Sequence, residues 1–423
     1  MTTARASLPL MLRRAIGELA HLGSTTQELT EAALDRLWND AAIRQSDGKV
    51  FILTGDIPAM WIRDSVWQVR PLLRFVGDAE VLGFVQGVIA AQKHFLAIDP
   101  YANAFNLEPN GNCWHKDFAD QSPWVFERKF ELDSITSFLQ LSFDLREASG
   151  SDAHLDGDWW RLARVLVVLL WRETQHDPAT YRFVRTNSPK HDYLSNDGYG
   201  AAYADCGLIW SAFRPSDDAC ELPFHVPSNI HAQLQLRRLA AFASAHDTSL
   251  AQSATRLANQ LSAAIAKFAI VKHLGSEIYA YEVDGRGGAI VQDDANYPSL
   301  LSLPWLGIQR DETYRKTRAL VLNAANPWFF CGEFGSGVGS PHTGENMIWP
   351  LAIAMQGLTE EQPAAQLAAL RLIERTRSKS GFIHESFDVA DPEHFTRDWF
   401  SWAEMTYAEL AFTIAGLDNA SAL

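Results

Sequence analysis

Two adjacent carboxylates, Asp217 and Asp218, follow Phe213-Arg214-Pro215-Ser216 on a proline-containing stretch just after Trp210. Like charge and apolar walls both disfavour ionisation, so such a pair can hold a raised pKa. A group that gives up a proton near neutral pH needs that property. The plainer alternative is an Asp cap on the helix that runs through Asn229. Glu385 lies among aromatic residues in Phe382-Ile383-His384-Glu385-Ser386-Phe387. It is suited to taking a proton from water. His384-Glu385 lacks the second His of a zinc-protease helix, so that chemistry is not supported.

Other runs supply donors and acceptors. Residues 54–65 hold Asp56, Trp61, Arg63 and Asp64. A carboxylate beside a guanidinium can accept from one hydroxyl and donate to its neighbour, the pattern of a sugar diol. The competing reading is an Arg–Asp pair capping the helix that starts near Ser65. Residues 126–133 end in Glu131 and Asp133, which either bind or sit at a helix N-terminus where acids are favoured. Residues 292–299 carry Asp293, Asp294 and Asn296. Residues 335–343 carry glycines and His342 but no phosphate-cradle lysine, so a tight loop bringing His342 near a ligand is expected.

Several classes drop out. No GxGxxG follows a strand and no GxSxG elbow exists, which disfavours nicotinamide enzymes and esterases. The 13 His lack metal-ligand spacing, so no metal is expected. A net charge of −15 disfavours nucleic-acid backbones and anionic membranes. Fourteen Trp suit a large core or stacking of flat ligands. Carboxylates, tryptophans and Arg–Asp pairs without nucleotide or metal signatures point to carbohydrate chemistry, where two carboxylates suffice to cleave a glycosidic bond.

The elements that hold these loops are mostly helical. Leu250, Ala254, Leu257, Leu261, Ile265 and Phe268 repeat at helical spacing, and similar stripes give about a dozen helices. Residues 165–171 are apolar throughout, which predicts a helix buried on every side. Residues 278–283 and 289–291 flank Asp284-Gly285-Arg286-Gly287-Gly288 and predict a hairpin. With no linker or internal repeat, one domain over residues 1–423 is expected. It is all-α, an (α/α)6 barrel with short β-hairpins in the loops; a helical solenoid is the alternative. The N-terminus shows no signal peptide and no helix is expected to cross a membrane. Four cysteines with no CxxC fit free thiols and a cytoplasmic setting.

At these loops the sequence resembles glycoside hydrolase family 125, bacterial and fungal exo-α-1,6-mannosidases. The likeness runs through residues 54–65, 126–134, 213–219, 293–304, 326–330, 339–343, 348–352, 384–387 and 395–402. It implies an (α/α)6 barrel that releases terminal α-1,6-linked mannose with inversion and without a metal or other cofactor. It implies an Asp acid in the 213–218 loop, with Asp218 preferred over Asp217, and Glu385 as base. Binding of the terminal mannose is implied for Trp61, Arg63, Asp64, Asp293, Asp294, Asn296 and His342. The partner is then a mannose-containing oligosaccharide, and a monomer is expected. The alternatives are a sugar epimerase or isomerase using His342 and His384, or a non-catalytic glycan-binding protein.

Overall fold

The computed structural model describes residues 5–117 and 121–417. Helices dominate: α1 (Leu10–Glu18), α2 (Ser24–Arg36), α3 (Ile62–Val69), α4 (Ala79–Ile98), α5 (Leu132–Ser149), α6 (Gly157–Arg172), the single turn α7 (Ser195–Gly198), α8 (Val226–Ala243), α9 (Thr248–Ala264), α10 (Glu312–Val321), α11 (Pro350–Leu358), α12 (Pro363–Thr376) and α13 (Ser401–Ile414).

They fall into two sets by burial. Every residue of α3 is buried, as is α13 from Ser401 to Phe412. α5, α8 and α11 are buried over most of their circumference. Apolar side chains around the helix, with polar ones such as Arg63 and Gln68 bonded to neighbouring segments, permit this. Helix α13 packs on α3 and α11, α3 on α5, and α5 on α8. A second set lies outside: α2 on α13, α4 on α5, α9 on α8, α12 on α11. Helix α9 shows why. Leu250, Ala254, Leu257 and Leu261 form its buried stripe, and the remaining faces are polar.

Short strands precede the inner helices. Met60–Trp61 leads into α3, Phe224–His225 into α8, and Met347–Ile348 sits just before α11. Val125–Glu127 comes shortly before α5, and Asp391–Thr396 shortly before α13. They pair antiparallel within small sheets of three strands each. The loops around them therefore gather at the N-terminal ends of the inner helices, where unpaired backbone N–H groups favour carboxylates.

Two expectations need correction. The stretch 165–171 is not buried on every side: Val165 is 55% exposed and Val168 61%. Arg161, Val165, Val168 and Arg172 share one face at helical spacing, and the arginines mark it as the solvent face. The predicted hairpin is half right. Val283 pairs with Ala289 as expected, but Ile278 and Tyr279 pair with the preceding strand Ile270–His273 instead. Helix α4 is long and apolar enough to cross a membrane by length and composition, although 56% of that span is buried inside this fold.

Candidate active site

A cavity of about 400 Å³ opens at the loop end of the inner helices. That is within the size range of small-ligand sites. Trp61, Trp114, Trp349 and Trp402 contribute aromatic walls, and Asp64, Asp217, Glu385, Asn296 and His342 contribute polar ones.

Arg63 organises the floor. It follows Trp61, whose strand pairs with Ala104, and lies in the first turn of α3. Its side chain is 3% exposed. Nη1 donates to Glu131 Oε2 at 2.6 Å and to Asp133 Oδ2 at 3.3 Å. Nη2 donates to Asp217 Oδ1 at 3.1 Å and stands 3.2 Å from Asp64 Oδ1. Burial opposes its charge, but the four carboxylates outweigh burial and hold the guanidinium firmly protonated. Its face rests 5.4 Å from the Trp402 ring centroid, and Trp402 is fixed by donating to Tyr297 Oη at 2.6 Å. Burial, reinforced by the charge of Asp217, pushes Asp64 up to about 6 against the pull of Arg63.

The two aspartates of the 213–218 loop part company. A turn closes between Arg214 and Asp218, with Arg214 N–H donating to the Asp218 carbonyl at 2.7 Å and Asp217 N–H to the Arg214 carbonyl at 3.0 Å. The loop is pinned from behind by Arg214 donating to Glu282 Oε1 at 2.5 Å. Asp217 takes a φ of +66°, a backbone position that Asp and Asn tolerate better than most residues. This conformation turns its carboxylate onto the cavity wall, with its side chain 21% exposed. Burial would raise its pKa, but Arg63, a hydrogen bond from Glu131, and the charges of Lys129 and His342 hold it well below the usual carboxylate range. Asp218 lies fully buried beneath. Its Oδ1 meets His342 Nδ1 at 2.9 Å, while Oδ2 is buried without a hydrogen-bond partner among the described residues.

His342 arrives on the glycine loop, as expected. Gly339 lets that loop pass close to its neighbour, since a Cβ there would lie 2.2 Å from the Met347 carbonyl oxygen. The His342 side chain is 35% exposed at the cavity; desolvation there disfavours the imidazolium, but Asp218, with help from Glu385 and Asp217, pushes it up to about 10. His191, Asp218 and His342 bring ligand atoms within 4.8 Å of one another. A metal ligand must be a neutral imidazole, whereas His342 carries a proton toward Asp218. The linkage has a definite sign. The folded pKa exceeds the ordinary 6.5, so this contact contributes fully below pH 6.5 and is lost as pH rises through about 10. Urea midpoints should therefore fall across that window, and fall less in Asp218→Asn. An equal alkaline loss in that variant would show that the pair is not its source.

Glu385 borders the cavity in the loop before strand Ser386–Asp388. Arg397 Nη1 stands 3.8 Å from its Oε1. His384 points elsewhere. Its Nδ1 meets the Arg397 carbonyl at 2.8 Å, its Nε2 meets Ser378 Oγ at 2.7 Å, and its ring stacks on Phe395. The two-histidine arrangement an epimerase would need is therefore not assembled.

The remaining predicted residues divide. Asn296 lines the cavity and donates to Asp294 Oδ1 at 3.0 Å. Asp294 also accepts from Ser340 at 3.1 Å, so it ties the Asn296 loop to the His342 loop from below. Asp293 is buried away from the cavity lining, accepting the N–H groups of Leu300 and Leu301 at 2.8 Å each. Burial nevertheless pushes its carboxyl up to about 8. Above about pH 8, where the carboxylate is ionised and accepts both N–H groups, Asp293→Asn keeps one acceptor and turns a donor toward the other. The expected result is a loss of roughly 1–3 kcal/mol in stability, read as a lower Tm, with turnover unchanged. A loss of turnover at full stability would give Asp293 a direct role.

Beyond the predicted set, Lys129 is buried and donates to Asp192 Oδ1 and to the Asp217 carbonyl, both at 2.7 Å. Arg185 joins Asp117, Asp192 and Glu127, tying three loops to the cavity rim. Lys129 lies in the charged run 126–133 that ends in Glu131 and Asp133. Arg185 sits in a stretch with no pattern that could have marked it.

Comparisons place this geometry among known proteins. The family model for metal-independent alpha-mannosidase (GH125) matches residues 24–412. The meiotically up-regulated gene 157 protein of Schizosaccharomyces pombe is 36% identical over 389 residues, covering 86% of this chain and 76% of that protein. A metal-independent alpha mannosidase structure from Streptococcus pneumoniae, a non-productive complex with alpha-1,6-mannobiose, superposes with a TM-score of 0.93. It shares 37% identity and covers 96% of this chain and 98% of that one. A wild-type glycosidase structure at 13% identity and a TM-score of 0.56 covers 95% of this chain and 98% of that one, and shares the fold alone.

Proposed function

The chain belongs to glycoside hydrolase family 125, the metal-independent α-mannosidases, and from that membership we propose that it is an inverting exo-α-1,6-mannosidase. It removes the terminal non-reducing mannose from α-mannosides or N-glycan fragments. One observation carries this reading: Asp217 and Glu385 border the same cavity, together with the Arg63–Asp64 pair. The Streptococcus pneumoniae neighbour, solved with α-1,6-mannobiose, supports the linkage.

In this reading Glu385 takes a proton from water as the water oxygen bonds to the anomeric carbon. Asp217 gives a proton to the glycosidic oxygen as its bond to that carbon breaks. Asp217 is preferred over Asp218 because it borders the cavity while Asp218 lies beneath, engaged with His342. Trp61, Asp64, Asn296 and His342 hold the mannose hydroxyls, and Arg63 fixes the carboxylates around it. Asp293 and Asp294 act from behind by shaping the loops. No cofactor is needed for these steps.

The same proposal covers the architecture. Residues 1–423 form a single catalytic domain whose inner and outer helices close as an (α/α)6 barrel. Its support is the pairing of the buried helices α5, α8, α11 and α13 with the outer helices α4, α9, α12 and α2. The enzyme acts as a monomer in the cytoplasm, on free oligosaccharides rather than on nucleic acid or a membrane. Four unpaired cysteines support a reducing compartment.

The test is incubation with α-1,2-, α-1,3- and α-1,6-mannobiose, followed by proton NMR from the earliest time points. β-Mannose appearing first, from the 1,6 isomer only, is the expected result. α-Mannose first would make Glu385 a nucleophile instead. No cleavage of any isomer or of a longer glycan would remove the hydrolase reading.

A further inference from the structure

We propose that Glu131 stores the proton that Asp217 delivers: the two carboxyls, bracketed by Arg63 and Asn103, share one proton, and Glu131 acts as a positioning residue for the acid. This rests on the assignment of Asp217 above. The geometry is a shared bracket. Arg63 reaches Glu131 with Nη1 at 2.6 Å and Asp217 with Nη2 at 3.1 Å. Asn103 Nδ2 reaches Glu131 Oε1 at 3.2 Å and Asp217 Oδ1 at 3.4 Å. Glu131 is shut off from solvent, while Asp217 opens onto the cavity.

Charge counting requires a proton here. Arg63 is the one guanidinium paired with all four of Asp64, Glu131, Asp133 and Asp217 among the described residues. Four ionised carboxylates cannot crowd one buried guanidinium without one of them taking up a proton. The other charged groups bias which carboxyl takes it. Lys129 donates to the backbone carbonyl of Asp217, and the His342 imidazolium acts on the Asp217 carboxylate, so both stabilise Asp217 as the anion. Glu127 accepts from the same Asn103 amide at 3.0 Å and adds negative charge behind Glu131. Burial first, then Asp217 and Asp133, raise Glu131 well above the ordinary carboxyl range against the pull of Arg63. Before substrate binds, the bracket therefore favours Glu131 as the protonated partner and Asp217 as the ionised one.

The step balances. The proton passes from Glu131 to Asp217, and from Asp217 to the glycosidic oxygen, which keeps the electron pair of the broken bond. The proton lost by the attacking water goes to Glu385. Solvent reloads the pair after the sugars leave.

The experiment is the pH profile of kcat/KM on α-1,6-mannobiose and on 2,4-dinitrophenyl α-mannoside, whose leaving group needs no proton. It compares wild type with Glu131→Gln, Glu131→Asp and Asp217→Asn. Glu131→Gln is expected to move the basic limb on mannobiose down by at least about one pH unit and to cut the rate at pH 7 by about tenfold or more. On the aryl mannoside it should lose less than about threefold, and Glu131→Asp should restore part of the limb. Equal losses on both substrates with an unmoved limb would overturn the proposal and leave Glu131 as a brace for Arg63. If Asp217→Asn still cleaves mannobiose at the wild-type rate, the acid assignment itself falls. If Asp217→Asn behaves as an acid-less enzyme while Glu131→Gln keeps its limb, only the stored proton falls. Should Glu131→Gln not fold, Ser134→Ala decides, since the Ser134 hydroxyl donates to Glu131 Oε2 at 3.0 Å. Losing that donor should move the basic limb up, and an unmoved limb would overturn the proposal.

Discussion

Glu385→Gln is expected to lower kcat by about 10²–10⁴-fold on both α-1,6-mannobiose and an activated aryl mannoside. That corresponds to about 3–5 kcal/mol of transition-state stabilisation. The loss should be blind to the leaving group, because water must be activated whichever group departs. Glutamine matches glutamate in size, and the ion-pair neighbour Arg397, at 3.8 Å, is already tied to Asp56 Oδ1 through Nε at 2.8 Å. The cavity should keep its shape, so KM should change little. Initial-rate kinetics on the two substrates provide the check. Wild-type turnover on either one would remove Glu385 as the base.

Asp217→Asn should behave differently. Its kcat/KM on mannobiose is expected to fall by about 10²–10⁴-fold, because a sugar alkoxide is a poor leaving group without a proton. On the dinitrophenyl mannoside the loss should stay within about tenfold. The substitution suits the backbone, since Asn tolerates the positive φ at this position, and its amide oxygen can still accept from Arg63. Asp218→Asn is the comparator. It should disturb His342 and cost less on mannobiose, without the split between substrates. The reverse pattern would transfer the acid role to Asp218.

The legible part of this molecule was its chemistry-bearing loops and its helical character. Runs such as 54–65 and 213–218 mix aromatic, acidic and basic residues in a way that packing alone does not call for, and most of their polar residues meet at one cavity. The helical stripes were legible because a half-buried helix must alternate faces at its own period. The misreading of 165–171 came from composition. Two valines face solvent between Arg161 and Arg172, and only the arginines betray the face. The split between Asp217 and Asp218 could not be read, because adjacent residues are separated by one backbone torsion. The depth of Asp293 was equally hidden, since a carboxylate that accepts backbone N–H groups has the same letter as one that binds a ligand. Arg185 joins loops from distant parts of the chain, and a single arginine carries no periodicity.

The join between the two ends of the chain also bears on how the enzyme comes into being. Gly55 pairs with Phe400, and a Cβ at Gly55 would strike the Trp399 carbonyl oxygen at 2.3 Å. Arg36 donates through Nε to Glu404 at 3.0 Å, and Ser401 N–H donates to the Thr54 carbonyl at 3.1 Å. Asp56, Trp61 and Arg63 are synthesised more than 300 residues before Glu385, Arg397 and Trp402. A nascent chain thus holds the Arg63 half of the site before the Glu385 half exists. Closing the site requires contacts that span most of the sequence, which are slow to form. Activity should therefore appear abruptly, only when α13 docks, and not build up in step with chain length.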